Sequence, residues 1–125
     1  SWASYAAVIA ALQLDLGNEV ILPDNINDAT GYGDVSIVSR NMHGSFNPEQ
    51  TLAATHDYRT LWKASTASAI SITIGSAAGN ICTITAPKAI AKELTHGDRD
   101  GILTYDVPFN LGENSGDDEI SIAFT

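Results

Sequence analysis

Cysteine is almost absent from this chain: Cys82 is the only one in 125 residues, so no internal disulfide can form. Without paired thiols, nothing in the sequence points to an oxidising compartment. Basic residues are scarce as well. Six Lys and Arg stand against 15 Asp and Glu, and a net charge of −9 argues against a cationic grip on a phosphate backbone. Residues 5–16, the longest apolar stretch near the start, are interrupted by Gln13 and Asp15. They are too short and too polar to span a bilayer and lack the basic flank of a signal peptide.

Chemistry-bearing motifs are missing too. No G-x-S-x-G, phosphate-binding glycine loop or dinucleotide fingerprint occurs. His43, His56 and His96 fall in three different expected elements as surface or turn residues, with no Cys or His at ligand spacing. Asp98 and Asp100 flank Arg99, which neutralises them or pins the turn, and Asp117-Asp118-Glu119 reads as a solvated turn. No catalytic residue, cofactor or metal site is therefore assigned, and an enzyme is the least supported class.

What the chain does have is alternation. In residues 101–111, GILTYDVPFNL, Leu103, Tyr105, Val107, Phe109 and Leu111 are apolar at strict two-residue spacing, which only a strand can bury on one face. The period returns at Val8-Ala10-Leu12-Leu14-Leu16, Ile70-Ile72-Ile74, Ile84-Ala86 and Ile120-Ile122-Phe124. Cys82 alternates with Ile84 and reads as a small core residue. Together these define a mainly β, antiparallel domain. With 44% hydrophobic residues, residues 1–125 fill one core and form a single domain.

Gly17-Asn18 is a turn-competent pair, suggesting a hairpin between the first strand and residues 19–22. Residues 34–46 read as a further strand whose apolar face shifts near Ser39, the mark of a bulge. Asn47-Pro48-Glu49 carries a helix-start signature, predicting one helix over residues 48–63 with Ala54, Tyr58, Leu61 and Trp62 as its buried stripe. Residues 69–75 and 80–87 form a hairpin through a short glycine-bearing loop. Residues 89–94 are a short strand or a helical turn, and residues 95–101 a polar turn. Tyr58, Trp62, Tyr105, Phe109 and Phe124 are expected in the core, whereas Trp2 and Tyr5 read as neighbours of the chain's start rather than packing residues.

Residues 23–33, PDNINDATGYG, hold two glycines, a proline and four Asn or Asp, and read as a long exposed loop. Loops of this length in compact domains are functional or mobile. Asp24, Asn25, Asn27, Asp28 and Tyr32 are its candidate contact residues. Their spacing is not that of an EF-hand, so a calcium loop is not assigned.

The run VSIVSRNMHGSFNPEQ, a following helix, ISITIG, GNICTITAPK, GDRDGILTYDVPFNL and a closing DDEISIAF resemble, in that order, the tail tube proteins of tailed bacteriophages. The likeness extends over residues 12–125 and lies in segment order. It implies an antiparallel β-sandwich or partly closed barrel flanked by a helix, the fold shared with the tube of contractile injection systems. It further implies a non-catalytic structural subunit, phage or prophage encoded, made in the bacterial cytoplasm and residing in the virion tail. Such subunits self-associate into rings, typically hexameric, that stack with other tail proteins into a conduit. DNA is then a passenger, not a specific ligand, and an acidic wall keeps it mobile. Residues 23–33 would be the assembly loop, ordering on contact between rings. On this reading the piece is either a domain excised from a longer chain or a small single-domain relative. The alternative is an accessory β-sandwich binding module, immunoglobulin-like or carbohydrate-binding, on a virion or cell surface; a helix of about sixteen residues speaks for the tube fold, since immunoglobulin-like sandwiches are built of strands and turns.

Overall fold

A computed structural model describes residues 1–125. In chain order the elements are β1 (Ile9–Asp15), β2 (Asn18–Ile21), β3 (Ser36–Arg40), β4 (His43–Pro48), α1 (Tyr58–Lys63), β5 (Ser68–Ile74), β6 (Cys82–Ala91), β7 (Thr95–Arg99), β8 (Ile102–Gly112) and β9 (Ser121–Phe124). Seven strands form one antiparallel sheet in the order β1-β4-β8-β6-β5, with β7 added to β8 and β9 to β6. The sheet curls into a half-barrel, mostly β with one short helix, as the alternation and the family resemblance imply.

The long strands β6 and β8 shape the curl by changing partners along their length. β8 pairs with β7 through residues 102–106 and with β6 through residues 109–112, while β4 lines its other edge. β6 pairs with β9 through residues 82–85 and with β8 through residues 88–91. Pro87 sits at that switch, where β6 also carries an extra residue against β5 and no amide proton is needed. β6 therefore absorbs much of the segment left open between strand and helix, and β7 replaces the expected polar turn at residues 95–101, because Thr95 to Arg99 all find partners on β8.

The core lies inside the curl. Phe109 and Val107 are fully buried, joined by Tyr105, Phe46, Tyr58, Ile70 and three alanines of β6. Trp2 belongs to this core, contrary to its reading as a bystander. Its ring stacks on Phe46 at 4.9 Å and meets Phe109 edge-on at 5.6 Å. Residues 1–3 run beside β5, with Ala3 N donating to Ala69 O and Ser71 N to Ser1 O, before the chain crosses to β1. The start of the chain thus bridges the two ends of the curled sheet. Two core expectations fail: Phe124 is 79% exposed, and Cys82 is only half-buried, because β9 and the adjoining ends of β5 and β6 project past the core.

The helix is shorter than its sequence signature. Residues 43–48 pair on both sides, with β1 and β8, and this double ladder claims Asn47 and Pro48 for a strand. Asn47 caps no helix; its Oδ1 accepts from the amides of Ala10 and Ala11 at 3.0 and 2.7 Å, where β1 carries an extra residue. The cap is Asp57 instead, accepting from Thr60 N at 3.0 Å. Of the expected stripe, Tyr58 is buried and Leu61 and Trp62 pack against the core, while Ala54 is exposed.

Candidate assembly interface

β1 and β2 are not a hairpin. β1 pairs with β4 from Asp15↔His43 inward, and β2 pairs with β3 from Asn18↔Arg40 outward. The four strands are one long hairpin, interrupted between its two ladders at Gly17 and Asn41. Gly17 holds a left-handed φ of +55°, and its amide donates to Asp15 Oδ1 at 2.8 Å. A side chain there would run into the Asn41 backbone. Gly17 is therefore the kink from which β2 and β3 leave the sheet as a separate two-stranded arm. The bulge expected near Ser39 is present, with Val38 as the extra residue opposite the Glu19–Val20 step.

Residues 23–33 close the tip of this arm, and they are ordered by their own hydrogen bonds. Asp24 bridges to Tyr32, Asn25 N donates to Gly31 O at 2.8 Å, and Gly33 N to Pro23 O at 2.7 Å. Asn25 Oδ1 accepts from Asn27 N at 3.0 Å. Asp28 Oδ1 accepts from both the amide and the hydroxyl of Thr30, which hold its carboxyl below the usual aspartate range. The structure thus gathers Asp24, Asn25, Asn27, Asp28 and Tyr32 on one exposed tip. Asp24 and Tyr32 are bridge partners, and Asn25, Asn27 and Asp28 spend donors or acceptors on the turn itself. No group of three or more His, Cys, Asp or Glu residues is placed to hold a metal ion.

Arg40, at the base of the arm, pairs with Asp117 and lies 3.6 Å from Glu119. These carboxylates raise its guanidinium pKa further. Asp118 accepts from the amides of Asn114 and Ser115, at 2.7 and 3.1 Å, and its pKa is lowered by them. The acidic stretch is therefore a built turn tied to the arm, not merely a solvated one. Arg99 likewise bonds Glu49 rather than its neighbouring aspartates. Neither long-range ion pair had a local signal in the sequence.

The arm's surface is apolar where a free-standing hairpin would be polar. Val20 and Ile37 are cross-strand partners, each 56% exposed, and Leu22 and Val35 flank them, more than half exposed. Ile26 at the tip is 96% exposed. Such a face has no partner within its own chain, and contiguous exposed apolar patches mark interaction surfaces.

Of the histidines, His43 Nδ1 lies 2.8 Å from Asn41 O, and His96 packs on Tyr105 at 5.1 Å. His56 departs from the expected surface role, stacking on Tyr5 at 4.7 Å and meeting Tyr58 edge-on at 4.5 Å. Burial lowers its pKa and raises that of the Tyr58 phenol. The three rings remain in separate elements and form no joint site. No helix is long and apolar enough to cross a membrane.

The chain thus folds as a curled antiparallel half-barrel with one short helix and a projecting β-arm, a fold like that of a phage tail protein. The specific likeness is to a chain in the tail of an empty GTA (gene transfer agent, phage-like) particle of C6 symmetry. The TM-score is 0.61 over 95% of this chain and 83% of that one, at 12% sequence identity. No family model and no curated protein matches the sequence.

Proposed function

We propose that this protein is a structural subunit of a phage-type tail that acts by self-association and without catalysis. The carrying observation is the fold: 95% of the chain superposes on a subunit of a sixfold tail assembly. A ring of six copies, stacked into a tube that DNA traverses, is the reading this likeness supports. The projecting arm with its uncovered apolar face supports it as well, because a stable monomer has no use for such a surface. The net charge of −9 suits a wall that must not hold DNA. Residues 23–33 serve as the assembly loop, presented ready-made by the kink at Gly17. The binding-module alternative has no specific observation in its favour; a helix of six residues does not separate the two readings, and the shared fold supports the tail reading.

Light scattering coupled to size exclusion over a concentration series, followed by negative-stain microscopy, tests the proposal. Rings or tubes of uniform diameter are expected. A strict monomer at high concentration, with no particles, would overturn self-association by this chain.

A further inference from the structure

Beyond the core, β5, β6 and β9 continue as a three-stranded lip. Ile72, Ile84 and Ile122 stand opposite one another across it, as do Ile74, Cys82 and Phe124 two residues along. Two-residue spacing puts both rows on one face. That face also carries Ile70 and Ala86, which are core residues, so the lip is the core surface prolonged outside the core. Phe124, Ile74 and Ile122 are 79%, 59% and 53% exposed. Ile72 connects the lip to a small apolar crevice of about 40 Å³ bordered by Trp2, Ile9, Leu12 and Phe46.

The lip is also free of charge. Residues 64–87 and 120–125 contain no Asp, Glu, Lys or Arg, in a chain where 17% of residues are charged. The arm is apolar on the face of Val20 and Ile37 yet carries Glu19, Asp24, Asp28 and Asp34 along its length. One molecule thus holds two open apolar surfaces, one acidic and one neutral.

Resting on the self-association reading above, we propose that the arm of one copy docks its Val20–Ile37 face on the β5–β6–β9 lip of the next. Contact between two different surfaces of one chain is heterologous, the kind that closes rings or propagates tubes. Arm on arm would bring the carboxylates of both copies together, and lip on lip would leave every arm uncovered. Arm on lip removes both apolar faces from water and sets acid against a neutral surface. The dimensions agree, since β2 and β9 are four residues each, about 13 Å long at roughly 3.3 Å per residue.

Cys82, the sole thiol, lies on the lip and makes the contact testable by mild oxidation of the full chain. Val20→Cys and Ile37→Cys, each with native Cys82, are expected to give covalent ladders beyond the dimer. The same variants carrying Cys82→Ser are expected to stay uncross-linked. Covalent dimers that persist without Cys82 would mean arm on arm, and cross-linking of the wild-type chain would mean lip on lip; either overturns the proposal. Phe124→Asp, at an exposed position with the fold checked by circular dichroism, is expected to raise the concentration needed for self-association roughly tenfold or more. Self-association without cross-links and indifferent to Phe124→Asp would remove the lip from the contact while leaving the structural-subunit reading intact. A wild-type chain that never self-associates would remove both.

Discussion

Asn41 and Gly17 face each other across the long hairpin so closely that the Asn41 carbonyl occupies the space of a Gly17 side chain, while the Asn41 amide donates to Gly17 O at 3.2 Å. This one approach decides where the sheet ends and the arm begins. Gly17→Ala adds a methyl group in a left-handed conformation, costing about 1–2 kcal/mol before the clash is counted. The expected outcome is a Tm lower by several degrees and a larger loss of self-association, read by thermal unfolding and light scattering on the same sample. Unchanged assembly would mean that the angle of the arm does not matter.

Trp2→Ala removes a ring that touches both Phe46 and Phe109. A loss of about 3–5 kcal/mol is expected from truncating a buried aromatic side chain. Urea unfolding followed by far-UV circular dichroism measures it without depending on the deleted fluorophore. A loss below about 1 kcal/mol would contradict the role of residues 1–3 in closing the curl.

Gly44 has no side chain because Phe109 needs the room: a Cβ there would lie 2.7 Å from Phe109 Cζ and closer still to the Gln13 carbonyl. Gly44→Ala is therefore expected to cost about 1–3 kcal/mol by overpacking. The same urea assay tests it; because Gly44, unlike Gly31, lies outside the left-handed region, the loss reads the clash and not the replacement of a left-handed glycine.

His56 makes folding sensitive to mild acid. Burial holds its folded pKa below 6.5, with the charge of Asp57 opposing, so the unfolded chain binds the proton more tightly. Stability therefore falls as pH drops below about 6.5 and stops falling once the folded-state histidine is itself protonated. Asp28, Asp57 and Asp118 have folded pKa values below 3.8, so their contributions are lost only in stronger acid. Urea midpoints between pH 7.5 and 5.5 should decline in the wild type and flatten in His56→Phe. An equally steep decline in the variant would assign the effect elsewhere.

Alternation makes β8 legible in the sequence, since Tyr105, Val107 and Phe109 are the buried residues of its face. The β5–β6 hairpin and the bulge beside Ser39 were legible for the same local reason. Alternation could not say whether an apolar face has something to cover it, which is why Phe124 was expected inside. Asn47-Pro48 carries the signals of a helix start, but two flanking strands outbid a cap that only nearby residues could supply. Gly17 announced a reversal of direction and made a kink, because the partner that decides between them, Asn41, is 24 residues away. The tip residues 24–32 are recognisable as a turn cluster from Asn, Asp and Gly content; the exposed apolar flank of the arm lies in residues that read as ordinary strand.

The uncharged lip has a second consequence, for the solution life of the free chain. AISITI, ICTITA and SIAF are short, β-prone and free of charge and proline, the composition that stacks into cross-β aggregates when left exposed. Their guard is remote: all 15 acidic residues lie outside these segments, and mutual repulsion of whole molecules keeps the lips apart. That guard reaches about 10 Å at 0.1 M salt and about 3 Å at 1 M. Ionic strength thus sets a shelf life for the free chain, and on the proposed arm-on-lip contact, covering by another copy would end its exposure to misassembly.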